Sequence, residues 1–254
     1  MIYDLQKASM WKRISAWLFD GIMTGILAVG LALVLSAILG YDQYDRAVDA
    51  AFDRYEAQYG VVFDLSVEAH QSLTEEEQLR YTEAYEALLR DADVMYQYNM
   101  LVNLSMVIIT LSILICVFLW EFLIPLFLGN GQTLGKKIFS LCLVRNDGVQ
   151  VNNLQLFTRA LLGRFTLDTM LPVYILLMLF WGSLDLIGLV VLGAWVLAQI
   201  LVPLLSATNG AVHDLLAGTA VVDISSQMIF RSTEELIAYK KKIHAEMASR
   251  PDYE

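Results

Sequence analysis

The chain has 254 residues, of which 57% are hydrophobic, and a mean hydropathy of +0.54. This is too apolar for an ordinary soluble domain, and the excess lies in a few long runs, so membrane insertion is the first implication. The formal net charge of −10 is confined to one stretch: residues 41–98 hold 14 acidic and 4 basic side chains, whereas the rest of the chain carries 13 of each sign. A neutral membrane body with one acidic insertion presents no solvent-facing basic stripe, which argues against nucleic acid as a partner.

At the N-terminus, Lys7, Lys12 and Arg13 precede an apolar run too long for a signal-peptide core, so a retained first span is expected. That span is read from about Ile14 to Leu39, and its entry, MWKRISAWLFDG, carries Arg13 and Asp20. Seven residues is two helical turns, so both charges lie on one face, yet their Cα atoms are roughly 10 Å apart and a direct contact is strained. Ionisable groups at this depth are costly unless paired or hydrated, which makes them functional candidates. Gly21, Gly25, Ala28, Ala32 and Ser36 form a separate small-residue stripe suited to close helix approach.

Residues 41–98 are expected to form a helical pair. Apolar residues recur at three- and four-residue steps from Gln43 to Tyr59, Gly60 is a stop signal, and Thr74 with Glu77 has capping-box form. The second amphipathic pattern is read as running straight into the next span. A solvated hairpin and a partner- or cation-attracting cap are both open; no EF-hand spacing is present.

The second span runs from about Met100 to Leu128, with Asn103, Thr110 and Glu121 near one line. Glu121 is the polar residue of this line least readily assigned to simple interhelical bonding. After it, Lys136, Lys137, Arg145, Arg159 and Arg164 mark a cytoplasmic side. Ile138 to Val144 has strand composition, Asn146-Asp147-Gly148 is a turn, and Val149 to Val151 is expected to return as a hairpin. Asn153 to Arg164 reads as an interfacial helix in which Arg159 and Arg164 are more readily snorkelling anchors than ligands.

Phe165 to Ser206 is long enough for two spans of about 20 residues, with a turn at Trp181-Gly182-Ser183 and Asp185 capping the fourth. Asp168 is open to a capping or a pairing role. In the tail, Thr219 to Ile224 is strand-like and suited to pair with the Ile138 to Val144 element. Ser232 and Glu235 open a final helix carrying Lys240, Lys241 and Lys242, a cluster that suits an anionic leaflet. Cys116 and Cys142 give neither a disulfide framework nor a metal site.

The expected architecture is an all-α integral membrane protein with four transmembrane helices, both termini cytoplasmic, a small cytoplasmic β-element and an extracytoplasmic helical insertion. Its segments are 1–40 (N-terminal segment and first span), 41–98 (acidic insertion), 99–128 (second span), 129–164 (β-hairpin and amphipathic helix), 165–206 (third and fourth spans) and 207–254 (HDLLAGT motif, strand and final helix).

Three stretches together resemble the RDD family of bacterial membrane proteins, named for one arginine and two aspartates. RISAWLFDG resembles its N-terminal signature and places the arginine at Arg13 and the first aspartate at Asp20; GQTLGKKIFSLCLVRNDG is similar to its TLGK-basic loop, strand and Asp-Gly turn. HDLLAGTAVV is similar to its closing motif and places the second aspartate at Asp214. The long insertion at 41–98 departs from the shorter loop usual in the family. The resemblance implies a multi-pass protein of the bacterial plasma membrane. It also implies a transport-related role, with sodium–proton exchange attributed to some members and accessory roles beside membrane enzymes to others.

Two functional classes follow. In a cation–proton exchanger, membrane carboxylates trade a proton for sodium or another monovalent cation, because desolvation favours the protonated form of such groups. Asp20 is the first candidate carrier and Glu121 the second, with Arg13 and Asp214 as the charge-pairing signature. Four spans are few for a monomeric carrier, and a homo-oligomer is expected with the Gly21/Gly25 stripe as a candidate seam. Alternatively, the protein is a non-transporting scaffold or regulator whose acidic helical cap or cytoplasmic β-element binds a partner membrane protein; the structural reading of the charges is a latch in which Arg13, Asp20 and Asp214 join the N-terminal helix to the C-terminal motif. GxSxG, HExxH, CxxC and P-loop motifs are all missing from the sequence, so no enzymatic activity, cofactor or metal is expected. His213 beside Asp214 is read as local structure.

Overall fold

The computed structural model describes residues 5, 8–180, 182, 186–206 and 209–248. Lys7, Asp185 and the flanks of the 181–183 turn lie outside the described residues. Among the described residues, four helices are long and apolar enough to cross a membrane: Met10–Leu39, Ala92–Leu128, Asn153–Phe180 and Leu186–Leu205. The chain divides into two compact units, Val29–Ser112 and the remainder.

Within residues 29–112, α1 (Met10–Leu39) ends before Gly40, and α2 (Tyr41–Tyr59) stops at Gly60, whose φ of 62° is the left-handed conformation a side chain resists. A short helix, α3 (Val67–Gln71), precedes α4 (Glu75–Arg90), which opens with the expected reciprocal cap between Thr74 and Glu77. α2 and α4 pack through Ala51 and Leu88, joined by Val94 of the following helix, with Phe52, Tyr55 and Phe63 against them. Phe63 meets the edges of Phe52 and Tyr81 at ring distances of 5.5 and 5.6 Å, so Tyr55 and Tyr81 border the hairpin core while Tyr85, Tyr96 and Tyr98 are exposed. α4 does not run straight into the next span. Asp91 is extended, and its Oδ1 accepts from the amides of Asp93 and Val94, starting α5 (Ala92–Phe118) as a new helix. A short polar side chain that bonds the backbone locally favours a cap over a helix interior.

In the other unit, the second span continues from α5 through a π-helical turn, Leu119–Leu123, into α6 (Ile124–Leu128). This wide turn breaks the 3.6-residue period from which the polar line was drawn. Ile138 is not in a strand: Thr133 caps the short helix α7 (Leu134–Ile138), and the chain turns at Ser140 before β1 (Leu141–Arg145) begins. β1 pairs antiparallel with β2 (Thr219–Asp223), Leu143 facing Val221, which is the pairing the strand-like tail suggested. The expected return strand at Val149–Val151 is reduced to single bridges, Val144 to Gln150 and Val149 to Phe230. Alternation serves two cores: Leu141 and Leu143 pack with Ala8, Ala16, Leu156 and Val221, while Cys142 and Val144 pack with Val222 and Leu5.

The third span is one continuous helical segment. α8 (Asn153–Thr158) passes through twelve π-helical residues, Arg159–Met170, into α9 (Leu171–Phe180). No break separates an interfacial helix from the span at Arg164, because Arg159 and Arg164 find partners inside the protein. The fourth span, α10 (Leu186–Leu205), is tied to the third by Trp195 Nε1 donating to the Leu167 carbonyl at 3.1 Å. α11 (Val212–Ala217) ends at Gly218 (φ 63°) and leads into β2, and α12 (Thr233–Ala248) closes the described chain. Ser232 accepts from the Glu235 amide as expected, but the Glu235 carboxylate returns to the Arg231 amide rather than to Ser232.

Candidate functional site

The ionisable residues that the sequence singles out converge on one buried region. Asp20, Glu121, Arg159 and Asp214 are all buried, as are Lys136 and His213. The two π-helical stretches contribute Glu121 from the second span and Arg159, Arg164 and Asp168 from the third. π-helical turns are rare and are frequently found at functional sites.

Arg159 is the hub. Its Nε donates to Asp214 Oδ1 at 2.9 Å and its Nη1 to Glu121 Oε2 at 2.7 Å. Glu121 also accepts from Arg164 Nε at 3.2 Å and Lys136 Nζ at 3.4 Å. Asp214 accepts from Arg13 Nη2 at 3.3 Å and from the Ala211 amide at 3.2 Å, so the second signature aspartate does partner the signature arginine. Arg13 Nη1 is buried with no hydrogen-bond partner among the described residues. Arg159 and Arg164 are therefore ligands of carboxylates, not snorkelling anchors; opposite charge at the site outweighs the pull of the headgroups.

Asp168 takes a pairing role. It accepts from Gln199 on α10 at 2.8 Å, stands 3.6 Å from Arg164 Nη1, and meets His213 Nδ1 at 2.5 Å. His213 is more than local structure, since it joins α11 to the third span. Burial pulls the imidazole below its ordinary value, with Arg159 and Arg164 acting in the same sense and Asp214 and Asp168 opposing. Burial alone would raise the Asp214 carboxyl, but the cations beside it hold it well below the usual carboxylate range. Burial likewise lowers Lys136, against the opposing pull of Glu121.

Asp20 is held differently. Its Oδ1 accepts from Trp120 Nε1 and the Gly135 amide, both at 2.8 Å, and its Oδ2 accepts from the Thr133 hydroxyl at 2.5 Å. All three donors are neutral, and no ion pair to Asp20 occurs among the described residues. The direct Arg13–Asp20 contact judged strained is not among the described ion pairs. Thr133 Oγ1 also accepts from Lys136 Nζ at 3.3 Å, which links the Asp20 cage to Glu121.

With His213 neutral, the carboxylates of Asp20, Glu121, Asp168 and Asp214 balance the cations of Arg13, Lys136, Arg159 and Arg164. Such balance is required, because an uncompensated buried charge costs several kcal/mol.

Trp120, Thr133, Gly135, Lys136 and Gln199 are the members that sequence reasoning left out. The signal for three of them is the TLGK run itself: a helix start supplies both a capping hydroxyl and free amides to a carboxylate. Glycine is required at 135, where a Cβ would lie 2.5 Å from the Ala16 carbonyl oxygen and 2.8 Å from Asp20 Cγ. At Gly163 a Cβ would lie 2.4 Å from His213 Cβ, so α11 seats directly on the third span there.

The fold and site define a multi-span helical membrane protein with a buried, charge-balanced polar centre. The RDD family model matches residues 7–218, most of the chain, and the chain belongs to the RDD family. No curated protein and no solved structure matches it.

Proposed function

We propose that this protein is transport-related and exchanges protons for sodium or another monovalent cation across the bacterial plasma membrane, with Asp20 as the proton carrier. The observation that carries the reading is the contrast among the carboxylates: Glu121, Asp168 and Asp214 each face an arginine, whereas Asp20 faces neutral donors only. A carboxylate pinned by cations gains little by taking up a proton. One held by neutral groups changes the charge of its surroundings when it does, which is what coupling to a cation needs.

The chemistry of the cage supports the same atom. Trp120 N–H and Gly135 N–H only donate, but the Thr133 hydroxyl both donates and accepts. A proton arriving at Asp20 Oδ2 is accommodated when the Thr133 hydroxyl turns from donor to acceptor and gives up one of the two bonds it now accepts, the one from Lys136 Nζ at 3.3 Å. Loss of that proton restores the present arrangement and leaves a negative charge for a cation to neutralise. Glu121 then serves mainly to hold Lys136, Arg159 and Arg164. In this reading the termini are cytoplasmic, residues 41–98 are extracytoplasmic, no cofactor or catalytic group takes part, and two copies meet along the Gly21/Gly25 stripe. An added Cβ at either glycine meets nothing within 4 Å in one chain.

A second reading, a non-transporting scaffold or regulator of a partner membrane protein, is favoured by the saturation of the cluster: Glu121 and Asp214 each accept three hydrogen bonds, as a structural latch would. Flux in proteoliposomes separates the two. A sodium or potassium pulse should alkalinise the lumen, and Asp20→Asn should abolish the response while the protein stays folded. An inactive, well-folded wild type across several cations and pH values would refute exchange and favour the latch.

A further inference from the structure

Two short helices outside the spans carry their polarity inside out. α7 turns Lys136 into the ionic centre and leaves Leu134 and Ile138 37% and 60% exposed. α11 turns His213 and Asp214 inward and leaves Leu215 and Leu216 49% and 51% exposed. A helix lying on a water-facing surface does the reverse. Charged groups inside and aliphatic groups outside are stable together when the surroundings are less polar than the protein's own centre.

The surroundings are identified by continuity. α7 follows the second span by five residues, and that span ends with Phe127 fully on the surface. α11 packs on both the third and the fourth spans, whose outer faces are aliphatic. Exposed Lys137 adjoins Ile138, an arrangement in which the stem lies along apolar surface and the ammonium reaches headgroups. We propose that α7 and α11 are seated in the bilayer, at the boundary between headgroups and acyl chains, so that lipid rather than water covers their outer faces. The ionic centre is then closed on that side by acyl chains. This holds whether or not the protein moves ions.

The test is quenching of single labels in vesicles of phosphatidylethanolamine and phosphatidylglycerol. Ile138→Cys and Leu216→Cys are each coupled to an environment-sensitive fluorophore, with Glu76→Cys on α4 as the aqueous reference. Both native cysteines are buried, and the Cys142 thiol is pushed up to about 12 by burial, so labelling at neutral pH selects the introduced sites. Size-exclusion profiles matching wild type establish folding. The expected result is quenching by nitroxide lipids with the label about 5–10 Å below the headgroups, and severalfold weaker iodide quenching than at Glu76. Iodide quenching equal to the reference at both sites overturns the proposal. Protection from both quenchers also overturns it, and assigns the face to a second copy or another protein.

Discussion

Arg159→Met is the most informative perturbation of the ionic centre. The substitution keeps length and apolar volume but removes the cation that joins Asp214, at 2.9 Å, to Glu121, at 2.7 Å. Glu121 retains two cations, Arg164 and Lys136, whereas Asp214 retains Arg13, at 3.3 Å, with the Ala211 amide at 3.2 Å. Four carboxylates would then face three cations in a buried cluster. Removing one member of a buried pair costs about 3–5 kcal/mol, a large part of a typical total of about 5–15 kcal/mol. The assay is thermal unfolding of the detergent-purified protein for Arg159→Met, Asp214→Asn and the double variant. Each single change should lower stability strongly. The double change should cost about 0.5–3 kcal/mol less than the sum, because the orphaned carboxylate is gone. Strict additivity, or a wild-type Arg159→Met, would show that the network is not the coupled unit described above.

Gly135→Ala places a methyl group 2.5 Å from a backbone carbonyl of α1, so folded yield should fall, with a cost of about 1–3 kcal/mol or more. Gly163→Ala should behave alike against His213, whereas Gly25→Ala should leave the monomer's stability unchanged and, where the stripe is a seam, lower the dimer fraction on size exclusion. Thr133→Val removes the one cage donor able to reverse; flux should fall and its pH dependence should shift, and an unchanged pH profile would refute the role given to the Thr133 hydroxyl. His213 is lowered by burial, so below about pH 6.5 the unfolded chain binds the extra proton more readily than the folded one. Stability should therefore fall as pH drops through that range, and His213→Gln should flatten the slope of melting temperature between pH 7.5 and 5.5. Asp223 is held at about 2 by Lys12 and Ser225. Its stabilising effect is present above the ordinary carboxylate value of about 4 and lost as pH falls towards 2; Lys12→Met should move acid unfolding, followed by tryptophan fluorescence, to higher pH.

Most of the fold was legible from local features. Span number follows from apolar run length, because the bilayer core sets the number of residues needed to cross it. The Thr74 cap, the Gly60 stop and the β1–β2 pairing rest on side-chain and backbone chemistry within a few residues, or on period-two alternation. The errors arose where local chemistry admits two outcomes. Ile138 is β-branched, which favours a strand, yet the Thr133 cap and the contact of Gly135 with Asp20 and Ala16 place it on a helix. Asp91 interrupts a pattern whose apolar period runs on through it.

The centre itself was half legible. Arg13, Asp20, Glu121, Asp168 and Asp214 stand out as charges in or beside apolar runs, and no further information is needed to single them out. Their partners cannot be read the same way. Arg159 and Arg164 have the sequence environment of interfacial anchors, and Lys136 that of a topology marker; only the packing of α11 on the third span and of α7 against α1 reveals them as buried counter-ions. Run length and residue type thus determined that charges enter the membrane. Which charge meets which depends on contacts between residues more than 200 positions apart, such as Arg13 and Asp214, and on π-turns that rotate side chains off the α-helical period. Those are properties of the assembled chain, because the energy that selects them exists only once several helices bring their charges out of water together.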